Sequence, residues 1–413
     1  MNAALETLRE RGFYAQCTDV DSLSRLMDRE PVSFYVGIDP TGSSLHIGHL
    51  VPLYAVAHLV RAGHRGIVLI GAGTARIGDP SGKTEVRRML TVEQIDANVM
   101  AIRGQIEAFL AATGAEATMV NNADWLANLN YIDFLRDIGR HFSVNRMLSF
   151  ETYKMRLETG LSFIEFNYQL LQSFDFLELS RGHGVRLQIG GDDQWGNIVA
   201  GVDLTRRVEG TEVFGLTFPL VTRADGRKMG KTESGAIFLD PAVVSSYEMY
   251  QYWRNVPDAD VERFLLTYTF LPAAECRRLG ALPGEQINEA KERLAVEATA
   301  LIHGRTVAEE ARDASRTAFT AGGPGASGGV DAIPSISVSS DELGAGIGVL
   351  DLFSRTDLCA SRSEARRLVT QGGARINDRP VTDLEQIIDA DWASEGELLL
   401  RAGKKRYYRV LVV

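Results

Sequence analysis

The chain has 413 residues, 45% hydrophobic and 24% charged, with a formal net charge of −10. That length suits two or three domains with sizeable cores, and the balance is ordinary for a soluble globular protein. No apolar run reaches membrane-spanning length, no basic start and apolar core mark a secretory signal, and Cys17, Cys276 and Cys359 fit neither a disulfide framework nor a metal site. A cytoplasmic location is therefore expected, with no membrane partner. The charge argues against one global basic surface, but residues 349–413 hold eleven Lys/Arg against ten Asp/Glu, so the tail is locally more basic than the acidic body.

Residues 1–30 read as helical, with Leu5, Leu8, Phe13, Leu23, Leu26 and Met27 on apolar faces. Phe34 to Ile38 then reads as a buried parallel strand, Asp39 to Gly42 as a turn, and a helix starts near His46 with Leu50, Leu53, Tyr54 and Ala57 at helical spacing. Pro52 falls early in that helix, where a missing N–H is tolerated. A strand feeding a helix N-terminus presents free N–H groups and a positive dipole end to an anion. His46 and His49 are three apart, on one face of the first turn, and Gly48 between them lets a flat ligand approach the backbone. Two imidazoles there can donate hydrogen bonds to charge building on a phosphate; the alternative is two surface histidines.

Gly66 to Gly71 is a second buried strand. The segment Gly78 to Thr84 is glycine-rich but has three residues, not four, between its glycines, so it is not a P-loop. Lys83 and Arg87 can still reach a polyphosphate, and Asp79 can pair with an amine. Thr91 and Gln94 have capping-box spacing and open a long helix to about Thr113, followed by a third strand over Ala117 to Asn121. Residues 122–182 read as mostly helical. Within them Tyr168, Gln172 and Asp175 stand at i, i+4 and i+7, a polar stripe in an apolar helix that points to a buried polar site. Val185 to Gly191 is a fourth strand, and Asp193 beyond it is placed for a ribose hydroxyl or, equally, as an N-cap.

Val213 to Pro219 is a fifth strand. It leads to a glycine-flanked loop with Lys228 and Lys231, where mobile lysines at a strand end can close over phosphate. Residues 245–320 read as all-helical, and Thr320 to Asp331 as a flexible linker. Beyond it, Ser361 and Glu364 have capping-box spacing and start a helix with Arg362, Arg366 and Arg367 outward. Ala374 to Thr382 reads as strand-turn-strand, and Lys404, Lys405 and Arg406 add a basic cluster; together these favour RNA as a partner.

Taken together, the chain resembles the bacterial-type tyrosyl-tRNA synthetases, a family of class I aminoacyl-tRNA synthetases, over nearly its whole length. His46-Ile47-Gly48-His49 matches the class signature, and Lys228-Met229-Gly230-Lys231-Thr232 is similar to the second signature in the form common in the tyrosine branch. Tyr168, Gln172 and Asp175, with the run Gly190 to Asn197, match tyrosine-branch motifs. The tail resembles the S4 RNA-binding module. The resemblance implies an α/β fold: a Rossmann-like parallel-sheet nucleotide-binding domain over 1–239 with a helical insertion at about 122–182, an α-helical domain over 240–319, a Gly-rich linker over 320–332 and a small α+β S4-like RNA-binding domain over 333–413.

The same resemblance implies residue roles. Tyr35 and Asp175 would hydrogen-bond a phenolic hydroxyl; Asp79, Tyr168 and Gln172 would hold an α-ammonium, with Gln194 near the carboxyl group. Gly37, Asp39, His46 and Lys231 would bind ATP, with Gly48 and His49 seating the nucleoside and Asp193 taking the ribose. Thr41 and His46 would stabilise the transition state, and Lys83, Arg87, Lys228, Lys231 and Thr232 would neutralise departing pyrophosphate. The implied substrates are L-tyrosine, ATP with Mg²⁺, and tRNA(Tyr), with no tightly bound cofactor, no resident metal, and a homodimer whose interface is expected among the apolar helices of 122–182. The alternatives are a related class I synthetase for another amino acid and a non-catalytic RNA-binding protein that keeps the fold.

Overall fold

A computed structural model describes the chain except residues 82–89, 223–228, 230, 233–234, 321–332, 395 and 404–405; for residues 152, 159, 231–232, 235 and 318–320 it describes the backbone alone. Two compact units divide the chain. One comprises Met1–Lys231, Ala236–Asp240 and Pro257–Ala290; the other comprises Thr232–Gly235, Pro241–Val256 and Lys291–Val413. Among the described residues no helix is long and apolar enough to cross a membrane.

The first unit is built on a six-stranded sheet. Its strands are β1 (Gln16–Cys17), β2 (Ser33–Ile38), β3 (Arg65–Ile70), β4 (Ala117–Asn121), β5 (Val185–Gly191) and β6 (Phe214–Phe218). The spatial order is β1-β6-β5-β2-β3-β4, with every pair parallel except β1 against β6. Chain order reverses direction at β2, between β3 on one side and β5 on the other. In an open α/β sheet the crevice beyond the strand ends at such a switch point is where ligands gather. The central strands are apolar because both faces are covered: Phe34, Tyr35, Val36, Val68, Leu69, Leu187 and Ile189 are all buried.

β1 falls within the stretch read from sequence as helical. Its two residues pair with Thr217 and Leu216, a local exception that propensity over so short a segment cannot reveal. The other expected strands form. The helix after β2 begins as a 3-10 turn, Ile47–His49, and becomes α-helical at Leu50–Arg61, so Pro52 lies in its first turn. Thr91 makes the expected capping box with Gln94 at the head of Val92–Ala112. Tyr168, Gln172 and Asp175 lie on the 21-residue helix Phe163–His183, itself opened by a Ser162–Glu165 capping box. Arg156 adds a buried ion pair to Glu165 at 2.8 Å, which locks the preceding helix Glu151–Thr159 to the head of the helix that carries the polar stripe.

In the second unit, helices Ser246–Arg254 and Arg305–Thr320 accompany a five-stranded sheet. The strand order is Arg379–Pro380, Ala374–Ile376, Glu397–Ala402, Arg406–Val412, Ser335–Val338, antiparallel except for the last pair. Tyr247 and Ala314 from the helices form one buried cluster with Ile333, Leu399 and Tyr407. The expected helix spans Arg362–Thr370, but its cap is offset. Ser361 accepts from the Glu364 N–H at 3.3 Å, whereas the Glu364 carboxylate accepts from Ala360 N, not Ser361 N. Arg362 faces outward as expected, its side chain 68% exposed, and lies 3.1 Å from Asp351. Lys404 and Lys405 lie outside the described residues, as do most of the Gly-rich linker positions.

Candidate active site

A cleft of about 260 Å³ opens over the carboxyl ends of β2, β3 and β5. Eleven of the residues singled out from sequence line it: Tyr35, Gly37, Asp39, Thr41, His49, Asp79, Tyr168, Gln172, Asp175, Asp193 and Gln194. They come from six segments spread over 160 positions, which only the sheet topology brings together. The strands supply the floor, and the Phe163–His183 helix supplies one wall, because a spacing of four and three residues keeps its polar stripe on one face.

At the deep end, Asp175 is 2% exposed. Its Oδ1 accepts from Trp125 Nε1 at 2.8 Å and its Oδ2 from Asn122 Nδ2 at 3.0 Å. Burial pushes the carboxyl up to about 8; the two N–H donors act against that shift and the Asp39 charge adds to it. Tyr35 sits opposite, 1% exposed, its ring edge-on to Phe176 at 5.4 Å. Its hydroxyl meets no hydrogen-bond partner among the described residues. Burial, reinforced by the Asp175 charge, holds the phenol well above its usual range, so it is a neutral donor and acceptor. Gln188 Oε1, also in the wall, is a second buried acceptor without a partner among the described residues.

Midway, the polar groups hold one another. Tyr168 donates its hydroxyl to Asp39 Oδ2 at 2.9 Å, and Thr74 donates to Asp39 Oδ1 at 2.8 Å. Asn122 closes the chain by donating to Thr74 Oγ1 and accepting from Gly73 N. A side chain at Gly71 is impossible, since its Cβ would fall 2.0 Å from Asp39 Oδ1. Gln194 Nε2 donates to Asp79 Oδ2 at 2.7 Å, while Asn197 Nδ2 lies 3.1 Å from Gln172 Oε1 and 3.2 Å from Gln194 Oε1. The groups expected to face an ammonium and a carboxylate are therefore fixed before any ligand arrives. Asp193 is raised by burial and by the Asp79 charge. Its neighbour Asp192 points elsewhere, accepting from Gln16 Nε2 at 2.6 Å and Thr217 Oγ1 at 2.9 Å, which fastens the turn to β1 and β6.

At the outer end, the rings of His46 and His49 stack with centroids 3.9 Å apart. His46 Nδ1 accepts from Gly48 N at 3.0 Å, and His49 Nδ1 accepts from His46 N at 3.1 Å. Each neutral ring therefore carries its proton on Nε2, the donor a phosphate needs. A Cβ at Gly48 would stand 2.8 Å from the His46 ring, so only glycine permits this turn. His46 and Gly48 do not line the cleft itself, whereas His49 does. The chain just past the second signature zips onto this turn: Ile47 N donates to Ile237 O, Leu239 N donates to Leu45 O, and Met229 is buried. Lys83, Arg87 and Lys228 lie outside the described residues; Lys231 and Thr232 form a short strand with undescribed side chains.

Comparison with known proteins agrees with this arrangement. A family model described as tRNA synthetases class I (W and Y) matches residues 27–320. The chain belongs to that family. A second model, a tyrosine–tRNA ligase SYY-like C-terminal domain, matches residues 326–410. The chain is 58% identical over 412 residues to a tyrosine–tRNA ligase of Treponema denticola, covering 100% of both. It is 51% identical to one of Caldanaerobacter subterraneus, covering 99% of both. Among solved structures, a C-terminally truncated mitochondrial tyrosyl-tRNA synthetase of Aspergillus nidulans superposes with a TM-score of 0.69 at 30% identity, covering 77% of this chain and 95% of that one.

Four site residues of this class I synthetase escaped sequence reasoning: Thr74, Asn122, Trp125 and Gln188. Each reads alone as an ordinary turn, cap or strand residue. Asn122 follows a strand and Trp125 sits in a four-residue helix, Ala123–Leu126, too short for periodicity to signal a buried face. A polar residue directly after a strand of a parallel sheet was the one usable cue, because strand ends are where such sheets bind ligands.

Proposed function

We propose that this synthetase activates L-tyrosine with ATP and transfers it to the 3′ end of tRNA(Tyr) for translation. The observation that carries the choice of amino acid is the deep end of the cleft, where the Tyr35 hydroxyl, without a hydrogen-bond partner among the described residues, lies within electrostatic reach of the Asp175 carboxyl. A phenol both donates and accepts and satisfies both; an indole offers one N–H only. Asp79, Tyr168, Gln172 and Gln194 take the ammonium and carboxylate, while Gly37, Asp39, Gly48, His49 and Asp193 take the nucleoside.

In the first step a tyrosine carboxylate oxygen bonds to the α-phosphorus and the bond to the β-phosphate oxygen breaks, releasing pyrophosphate. In the second, a 3′-terminal ribose hydroxyl attacks the carbonyl and AMP leaves. No side chain acts as nucleophile, so the protein contributes position and charge. Thr41 and His46 donate to the polyphosphate, and Lys83, Arg87, Lys228, Lys231 and Thr232 neutralise the leaving pyrophosphate. Mg²⁺ enters as part of the ATP substrate.

The domain division at 239, 319 and 332 is part of this reading, supported by the family-model boundary between residues 320 and 326. So is a cytoplasmic homodimer. Its interface is drawn from the 122–182 helices, where Tyr131, Ile132, Leu157 and Phe163 are each more than half exposed; light scattering at micromolar concentration checks it, and a monomer counts against it.

Amino-acid-dependent ATP–pyrophosphate exchange, run with each standard amino acid, tests the reaction. Exchange with tyrosine alone is expected. Exchange with another amino acid refutes the pocket reading, and none at all from folded protein with Mg²⁺ points to an RNA-binding protein that keeps the fold.

A further inference from the structure

The turn between β2 and the Leu50–Arg61 helix carries Thr41 and His46; Pro40, Leu45 and Ile47 are buried in it, while Thr41 is exposed. Several of the turn's polar groups are held by side chains from outside it. Asn98 and Gln105, seven residues apart, share one face of the long helix Val92–Ala112. Asn98 Nδ2 donates to Pro40 O at 3.0 Å. Gln105 Oε1 accepts from Leu45 N at 2.9 Å and lies 3.3 Å from the Ser44 hydroxyl. That hydroxyl also accepts from Asp240 N at 3.2 Å. Leu45 O, in the next peptide group, accepts from Leu239 N at 2.8 Å, and Ile47 N donates to Ile237 O at 3.0 Å. The turn is thus clamped at both ends by one helix and braced by residues 237–240.

We propose that Asn98 and Gln105 are positioning residues for the adenylation step. They fix the backbone on either side of Ser44 so that Thr41 and His46 meet the polyphosphate in register, and they touch no substrate themselves. Neither residue lines the cleft, and both are half-buried. The chemistry of the contact is directional: Gln105 serves as an acceptor. A main-chain N–H is the donor it satisfies, and a donor left unpaired in a half-buried turn shifts until it finds another partner. The inference rests on the reading of Thr41 and His46 as polyphosphate contacts.

The test uses full-length Gln105→Met, Gln105→Glu, Asn98→Leu and His46→Ala, each assayed for single-turnover tyrosyl-adenylate formation, for the KM of tyrosine and for the melting midpoint. Methionine keeps length and loses the acceptor; glutamate keeps an acceptor oxygen. Gln105→Met is expected to slow adenylate formation by about ten- to a hundred-fold, the span a lost hydrogen bond to a half-buried group gives, with the KM for tyrosine within about twofold of wild type. Gln105→Glu is expected to restore most of that rate, a rescue that a merely structural role for the side chain would not produce. Asn98→Leu is expected to slow the same step and leave the tyrosine KM alone, and it serves where Gln105→Met lowers the melting midpoint.

A wild-type rate in both Gln105→Met and Asn98→Leu overturns the proposal. So does a Gln105→Glu as slow as Gln105→Met, or a tyrosine KM that rises in step with the loss of rate. If His46→Ala leaves the rate unchanged, the underlying reading of the phosphate end fails and the inference falls with it. If His46→Ala is slow while Gln105→Met and Asn98→Leu are not, only the inference fails.

Discussion

Replacing Tyr35 by Phe removes one oxygen from the deepest point of the cleft, and the structure gives its effect opposite signs in the free and bound protein. In the free protein the hydroxyl is buried, neutral and without a partner among the described protein groups. Such a group costs about 1–3 kcal/mol, and the ring it sits on keeps its packing against Phe176 when the oxygen goes. Tyr35→Phe is therefore expected to raise the stability of the free protein by about 1 kcal/mol, a rise of ~2–4 °C in melting midpoint for a unit of this size. In the proposed complex the same oxygen meets the phenol of tyrosine. Losing that hydrogen bond, worth about 0.5–1.5 kcal/mol net, weakens tyrosine binding about two- to thirteen-fold. Phenylalanine has no hydroxyl to lose, so its binding does not weaken, and discrimination between the two amino acids falls by at least that factor. Thermal unfolding without ligand, and equilibrium dialysis with tyrosine and with phenylalanine, measure the two effects separately. A destabilised free Tyr35→Phe would show that the hydroxyl is satisfied within the protein. Unchanged discrimination would show that the phenol of the substrate binds elsewhere. Either result refutes the reasoning.

The Asp175 carboxyl titrates at about 8 in the fold against 3.8 ordinarily, so the folded protein holds a proton between those values that the unfolded chain has released. Its contribution to stability is full below about pH 4 and is lost as the pH rises through 8. Urea unfolding across pH 5–9 is expected to show this decline in the wild type, with a shallower one in Asp175→Asn; equal slopes would count against a protonated Asp175. Removing residues 333–413 is expected to leave tyrosine-dependent pyrophosphate exchange intact and to weaken tRNA charging. The same truncation strips Leu399 and Tyr407 from Tyr247 and Ala314, so the remaining helices should aggregate more readily, which light scattering reads. Equal loss of exchange and charging would overturn the domain assignment.

Most of the fold could be read before the structure because local signals and tertiary demands agree over most of the chain. β2, β3 and β5 are short apolar runs bounded by turn residues, and a parallel sheet covered on both faces asks for no more. Thr91 and Ser162 head helices with full capping boxes, and both helices start where those boxes place them. The departures have local causes. Gln16 and Cys17 form a strand only because Thr217 and Leu216 offer an edge, and no propensity within two residues encodes that. Glu364 has the spacing of a capping box, but its carboxylate accepts from Ala360 N, because a glutamate reaches either of two adjacent N–H groups equally well.

The site was less evenly legible, and the division follows a physical line. Residues proposed to meet the ligand stand out in sequence because they are the wrong chemistry for their surroundings, as Asp175 is in a helix flanked by Phe174, Phe176 and Leu177. Residues that hold those residues do not stand out, since Asn122, Trp125 and Thr74 are each at home in a turn or short helix. Yet in the proposed reading it is this second set that makes the pocket selective. Asp39 is held by Tyr168 and Thr74, Asp79 by Gln194, and Asp175 by Asn122 and Trp125, so none of the three carboxyl groups has to reorganise when a ligand arrives. Among the described residues, the buried side-chain atoms of the wall left without protein partners are the Tyr35 hydroxyl and Gln188 Oε1. A ligand is then judged at few points: whether its far end can both give and take a hydrogen bond beside Tyr35 and Asp175. Phenylalanine can do neither and an indole can only give, so each leaves a desolvated polar group costing about 1–3 kcal/mol. Loosening the supporting residues should therefore cost selectivity before it costs affinity, because a mobile Asp175 can turn away from a ligand that fails to satisfy it.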